Sequence, residues 1–260
     1  MDRAVYRRMA EQEERHWWFS GRRKVLESLL KRYLPAGAEP RLLEVGCGTG
    51  GNLELLQRFG RVDAAEYNPE ARAVAARKSG LSIGVCALPD RLDAADGHFD
   101  FVVLLDVLEH VADDVGSLRL LKRKLRPGGR LLVTVPALPW LWSAHDVHHH
   151  HFRRYTRATL NSAAERAGLC IVRSGYFSTL LLPLIVLARL VKKAFGNESA
   201  DDEMPSRLLN GTLRPLFGLE GRLVGRVNFP IGSSLYLVAE RAAYPADGLE
   251  PPRSAVAGSP

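Results

Sequence analysis

The chain has 260 residues, 46% hydrophobic and 25% charged, proportions that exclude collagen-like, disordered and multispan membrane classes. Lys and Arg (36) exceed Asp and Glu (29), and the net charge of +7 permits contact with phosphates, nucleic acid or anionic lipid without demanding it. The basic residues are scattered along the chain, the pattern of a solvated surface rather than a binding stripe. Cys47, Cys86 and Cys170 are too far apart for a CxxC zinc pattern or a disulfide framework, so a reducing, cytoplasmic compartment is expected. The charged N-terminus lacks the apolar run of a secretory signal. The longest uncharged run, Ser174 to Ala188, is shorter than the ~18–20 residues that span a bilayer.

In chain order, residues 1–38 read as a helical N-terminal cap: Val25, Leu26, Leu29, Leu30 and Tyr33 recur at helical spacing, and Pro35 with Gly37 stops the run. From Arg41 short apolar runs alternate with helical ones. Arg41–Val45 is a buried strand, and Gly46 to Gly51 follows at once. Leu53, Leu56 and Phe59 form one helical face closed by Gly60. A second strand, Val62–Glu66, precedes Asn68-Pro69, which cap and open a helix closed by Gly80. Leu81–Val85 and Phe99–Leu105 are the third and fourth strands. A helix through Leu118, Leu121 and Leu125 ends at Pro127-Gly128-Gly129, and Leu131–Val135 is the fifth strand. A polar, His-rich loop follows; Thr156 then caps a helix closed by Gly168, and a sixth strand starts at Leu169. Ser234–Glu240 is the last strand. This alternation predicts an α/β fold, a doubly wound, mostly parallel sheet, over residues 39–242. Residues 179–228 interrupt the rhythm as a helical insertion, and 243–260, rich in Pro, Gly, Ala and Ser, read as a disordered tail.

Gly46, Gly48 and Gly51 match G-x-G-x-x-G between a strand and a helix, and Glu66 lies where a ribose-binding acid belongs. That pattern alone suggests NAD and an oxidoreductase. Glu44 argues otherwise, because a carboxylate two positions before the first glycine repels a pyrophosphate and attracts an ammonium or sulfonium. S-adenosylmethionine carries both. Leu42-Leu-Glu-Val-Gly-Cys-Gly-Thr-Gly50, Asp106-Val-Leu-Glu-His-Val111 and Leu125-Arg-Pro-Gly-Gly-Arg-Leu-Leu-Val133, in that order, closely resemble the motifs of class I S-adenosylmethionine-dependent methyltransferases. The resemblance implies a seven-stranded Rossmann-like sheet whose last strand is antiparallel. It also implies a cofactor site of Glu44, Gly46, Cys47, Gly48, Gly50, Glu66, Tyr67, Asp106 and Val107. The Asp that many relatives place after the third strand is missing at Leu88, so backbone groups of Ala87 or Leu88 are expected against the adenine.

His16-Trp-Trp-Phe19, Pro136 to Asp146 and His151-Phe-Arg-Arg-Tyr155 resemble a bacterial methyltransferase subgroup. In that fold the N-terminal helix and the loop after the fifth strand border the acceptor, which makes His110, His145, Asp146, His151, Arg154 and Tyr155 the candidate catalytic residues. His110 and His145 are candidate general bases, and Arg153 or Arg154 could hold an acidic group or pair with nearby acids. For Trp17, Trp18, Trp140 and Trp142, packing and site lining weigh equally. Five histidines fall between 145 and 151, but the contiguous run His148–His151 has no recognised ligand spacing, so no metal is expected. Leu180–Val191, flanked by Lys192 and Lys193, is either a packed or lidding helix or an interfacial helix serving lipid-linked acceptors. The expected function is methyl transfer from S-adenosylmethionine to a small-molecule or lipid- or glycan-linked acceptor, with a non-catalytic S-adenosylmethionine-binding module as the alternative. No nucleic-acid partner is expected, and the oligomeric state is open.

Overall fold

The structure is a computed structural model that describes residues 13, 16–35, 39–194 and 207–243. Apolar runs form strands β1 (Arg41–Val45), β2 (Arg61–Glu66), β3 (Ile83–Ala87), β4 (Arg91–Leu92), β5 (Phe99–Leu105), β6 (Leu125–Pro136), β7 (Cys170–Phe177) and β8 (Ser234–Glu240). The helices are α1 (Trp17–Tyr33), α2 (Leu53–Gln57), α3 (Pro69–Ser79), α4 (Asp114–Lys124), α5 (Ala144–His148), α6 (Arg157–Arg166), α7 (Leu182–Ala194) and α8 (Arg207–Leu223). Their ends follow local chemistry. Asn68 Oδ1 accepts from the N–H groups of Glu70 and Ala71 at 2.8 and 3.0 Å, and Gly80 ends α3 in the left-handed region. Thr156 caps α6 by accepting from Thr159 N–H.

The strands lie in the order β4-β3-β2-β1-β5-β6-β8-β7. The pairs from β3 through β6 are parallel, and β8 runs antiparallel between β6 and β7. Both faces of the central strands are covered, so β5 is a continuous apolar run rather than an alternating one. Val102 and Leu104 pack with Leu118, Leu121 and Leu160 on one face; Phe101 and Val103 pack with Leu29, Leu42 and Leu56 on the other. The chain winds outward from β1 in one direction and from β5 in the other. A crevice therefore opens at their carboxyl ends, where an open α/β sheet takes its ligands.

Four details differ from the sequence expectation. Among the described residues the sheet has eight strands, not seven, because β4 adds a two-residue antiparallel edge to β3, too short to leave a pattern in sequence. β3 sits two residues later than Leu81–Val85. β6 begins at Leu125 rather than Leu131: Phe99 pairs with Leu125 and Phe101 with Arg130, so Arg126–Gly129 bulges out and returns without leaving the strand. The His-rich loop contains the short helix α5. Of the N-terminal cap, the helix begins at Trp17; its expected earlier part, apart from Glu13, and the tail beyond residue 243 lie outside the described residues.

The insertion is the helix pair α7 and α8. Buried Glu220 accepts from the N–H groups of Thr179 and Leu180 at 2.9 and 3.0 Å, which ties α8 to the start of α7. Across α1, the fully buried Phe217 ring lies 5.9 and 5.3 Å from the rings of Trp17 and Trp18, and Trp17 N–H donates to Asn210 Oδ1 at 2.8 Å. Phe217→Ala empties this joint and is expected to destabilise the protein by about 3–5 kcal/mol in urea denaturation. A loss below about 1 kcal/mol would show that the α1–α8 contact does not hold the insertion in place.

Candidate active site

A cavity of about 930 Å³ occupies the crevice. Its first wall is the turn from β1 to α2. Gly46 has φ 72° and Gly48 φ 55°, and a Cβ at Gly46 would stand 2.5 Å from Val107 Cγ2, so neither backbone conformation nor space admits a side chain there. Glu66, at the end of β2, accepts from Gly48 N–H and Asn68 N–H, both at 2.9 Å, one on each carboxylate oxygen. Glu44 is buried at the end of β1. Its Oε1 accepts from Asn52 Nδ2 at 2.9 Å, while Oε2 has no partner. Burial, with the nearby charges of Glu13 and Glu66, pushes the Glu44 carboxyl up to about 8, against the hydrogen bond from Asn52. Burial, with Glu44 and Glu66 beside it, also raises the Cys47 thiol, which stays neutral and unreactive. Glu13 accepts from Thr49 Oγ1 at 2.8 Å, pairs with Lys78 and lies over Gly51.

The second wall joins β5 to the N-terminal helix. Arg22 of α1 pairs with Asp106 and donates to Thr134 Oγ1 at 2.7 Å, with its guanidinium near the faces of Trp18 and Phe177. Burial draws Arg22 down to about 10, partly countered by Glu109, so it remains charged at neutral pH. The short 3₁₀ turn Leu108–His110 follows. Glu109 is buried, and its Oε2 has no partner. Burial pushes it up to about 8 despite Arg22 and Arg154. His110 is lowered to about 3, first by burial and then by His151 and His149, so its imidazole is neutral.

The third wall is the His-rich segment. Asp146 is fully buried. Its Oδ1 accepts from His151 Nδ1 at 2.9 Å and Arg154 Nε at 2.7 Å, and its Oδ2 accepts from Ser143 N–H at 2.9 Å. Burial alone would raise this carboxyl; these donors outweigh it and hold Asp146 below the usual carboxylate range. The His110 and His151 rings stand edge to face at 4.6 Å, and those of His145 and His149 lie 4.3 Å apart.

A family model described as a methyltransferase domain matches residues 18–174, more than half of the chain. The chain belongs to this methyltransferase family. The ubiquinone biosynthesis O-methyltransferase of Parvibaculum lavamentivorans is 37% identical over 98 residues, 36% of this chain and 39% of the relative. The chain thus spans about two-fifths of the length of the curated relatives it matches. Among solved structures, a chain of the complex between the Haloferax volcanii Trm112 methyltransferase activator and a methyltransferase superposes with TM-score 0.61 at 20% identity, covering 93% of this chain and 96% of that one. Haemonchus contortus phosphoethanolamine N-methyltransferase 2 does so with TM-score 0.57 at 18% identity, over 84% of this chain and 52% of that chain. At these identities the likeness is one of fold.

Within this methyltransferase domain the cavity brings together Glu44, Gly46, Cys47, Gly48, Glu66, Tyr67, Ala87, Leu88, Asp106 and Val107 with His110, His145, His151 and Arg154. Gly50, Asp146 and Tyr155 are not on its wall. Gly50 packs on α3 through Ala75, and Asp146 holds His151 and Arg154 from behind. The Tyr155 hydroxyl donates to Asp114 at 3.1 Å. Asp146, within α5, and Tyr155, before α6, are thus both buried in the layer behind the wall rather than on it. Arg153 is likewise taken by Asp114 and the Ala112 carbonyl. Trp17 and Trp18 line the cavity, whereas Trp140 and Trp142 face solvent. Arg22, Glu109, Glu13 and Asp90, also on the wall, escaped the sequence reading. Glu109 alone carried a signal, its place inside the motif after β5.

Glu44 sets a testable pH dependence. Unfolded, it loses its proton near 4.5; folded, it keeps it up to about 8. The native state is therefore the more protonated one between those values, and the contribution of Glu44 to stability declines as pH rises through them. Glu44→Gln removes that decline. Relative to wild type it is expected to gain on the order of 1–3 kcal/mol in denaturation at pH 8 compared with pH 5. An equal pH difference in both proteins would show that Glu44 is ionised in the native state.

Proposed function

We propose that this chain transfers a methyl group from S-adenosylmethionine to a hydroxyl oxygen of a small acceptor with an apolar body. The observation that carries the reading is the single cavity that continues from Gly48 and Glu66 to His110 and His145. The residues of the first wall fit the cofactor. Glu44 Oε2 is a buried acceptor that lacks a donor, which an ammonium supplies, and the Glu66 carboxylate, held at the end of β2 on the cavity wall, is placed to accept from a ribose. Gly48 leaves the backbone open to close approach. Glu13, Glu44 and Glu66 together oppose a dinucleotide pyrophosphate, which argues against an oxidoreductase. Bound there, S-adenosylmethionine supplies a methyl group on a positively charged sulfur, already activated for in-line displacement.

The protein's own part is alignment and proton handling. Holding the acceptor oxygen in line at about 3 Å is worth several kcal/mol. Trp17, Trp18 and Ile185 give the acceptor an apolar surface, and of the two candidate bases on the cavity wall His145 is the one to take the hydroxyl proton, an effect of about 10²–10⁴ in rate, because burial leaves His110 too weak a base. The O-methyltransferase relatives support oxygen as the acceptor atom. By titration calorimetry, S-adenosylmethionine is expected to bind and NAD not to. Glu66→Ala should weaken that binding by about 1–3 kcal/mol, and Gly48→Val should abolish it. Release of S-adenosylhomocysteine with phenolic acceptors then tests turnover. Binding without release from any acceptor identifies a non-catalytic binding module instead, and unchanged affinity in both variants overturns the cofactor site.

The apolar face of α7 supports a lipid-linked acceptor. Ile185 and Arg189 line the cavity, while Leu184, Leu187, Leu190 and Val191 are exposed on the outer side. Among the described residues no helix is long and apolar enough to cross a membrane, so this reading is of contact with one leaflet. Co-sedimentation with anionic phospholipid vesicles should fall at least ~3-fold in the double variant Leu187→Glu, Leu190→Glu, since each removes apolar burial and adds repulsion. Equal sedimentation of both proteins would reduce α7 to a wall of the cavity.

A further inference from the structure

We propose that Glu109, His110 and His151 form a binding site for a divalent ion of the zinc class on the acceptor wall of the cavity. One ligand atom from each of the three lies within 4.8 Å of the other two. Ligands to zinc stand ~2.0–2.2 Å from the ion, so small side-chain adjustments close such a set around it. The backbone already brings the parts together: Phe152 N–H donates to the Glu109 carbonyl at 2.8 Å, which fastens the His-rich segment onto the turn after β5.

The surroundings are those of a ligand set. His151 gives its Nδ1–H to buried Asp146, which orients the ring and leaves Nε2 for an ion. A carboxylate behind a histidine is the usual outer support of a metal ligand. Glu109 is 1% exposed, and its Oε2 has no hydrogen-bond partner. Nearby charges do not neutralise it by pairing, because Arg22 is matched by Asp106 and Arg154 by Asp146. A buried polar atom without a partner is costly, and a divalent ion held with two neutral imidazoles supplies the missing partner to Glu109 Oε2. Two nitrogens and one oxygen suit zinc, manganese or ferrous iron better than magnesium or calcium, which prefer all-oxygen shells. Three protein ligands leave positions open to the cavity. There an acceptor oxygen completes the shell, and His145 remains as the imidazole for its proton. This last step rests on the methyltransferase reading above; the ion site does not. The proposal departs from the sequence expectation of no metal, which considered spacing within the His-rich run and not residues 109 and 110.

The test is calorimetric titration of chelator-treated, dialysed protein with zinc chloride and separately with manganese chloride, and with magnesium chloride for comparison. One equivalent of zinc is expected to bind at micromolar or lower concentration and to raise the melting temperature. The isosteric Glu109→Gln and, independently, His110→Ala should each weaken zinc binding at least ~10-fold, while His148→Ala, off the cavity wall, should bind like wild type. Far-UV circular dichroism verifies folding of each variant. Absence of stoichiometric zinc binding by wild type, or equal binding by folded Glu109→Gln and His110→Ala, overturns the site. S-adenosylmethionine binding measured on the same samples separates the two readings. Zinc bound without S-adenosylmethionine leaves the site standing and sinks the methyltransferase reading, and the converse sinks the site alone.

Discussion

The ion pair between Arg22 and Asp106 joins the two parts of the molecule on which everything at the cavity depends. Asp106 ends β5 in a left-handed backbone conformation, at φ 50°, where the chain must leave the sheet. Arg22 comes from α1, far from Asp106 in sequence. The guanidinium spans Asp106 on β5 and Thr134 on β6. It thereby anchors the N-terminal helix across the carboxyl edge of the sheet. A partly buried pair of this kind is costly to break because either partner alone is left without compensation. The same guanidinium lies near the face of Trp18, which with Trp17 receives Phe217 from α8. The sheet edge, α1 and α8 are thus joined by one chain of contacts.

The cavity is electrostatically divided. Around the glycine turn the carboxyl groups of Glu13, Glu44 and Glu66 crowd one region, with Lys78 paired to that of Glu13. That field selects a cationic ligand and keeps Glu44 protonated in its absence. Across the cavity, arginines and aspartates are matched in pairs, and the imidazole of His110 is neutral through burial. Glu109 is the buried acid there whose Oε2 has no hydrogen-bond partner. A site that handles a proton or an ion is built in this way, with one poised group amid compensated neighbours.

Helices α7 and α8 are an addition to an otherwise regular sheet. Glu220 closes the joint between them by accepting two backbone donors that the turn at Thr179 would otherwise leave unsatisfied. Because α7 turns Ile185 and Arg189 inward, one helix serves as a wall of the cavity while Leu184, Leu187, Leu190 and Val191 stand exposed on its outer side.

The order of strands and helices, the Asn68 and Thr156 caps, the glycine turn and Glu66 were all legible from residues near one another in the chain. Each depends on local geometry: a cap on hydrogen bonds two or three residues away, a turn on the φ that only glycine takes freely, a strand on a run of apolar side chains. The two-residue β4 and the bulged start of β6 were not legible, because pairing with a neighbour, not a local preference, makes them strand. The same division runs through the site. The sequence alone determined that a glycine turn with an acid on each side would face a crevice, and that histidines and an arginine would stand opposite. Only the tertiary structure decided that Asp146 and Tyr155 support the wall from behind, that Arg22 reaches Asp106, and that Glu109 and His110 meet His151. Those contacts join segments that periodicity and spacing cannot relate, since burial and charge compensation are properties of packed neighbours rather than of adjacent residues.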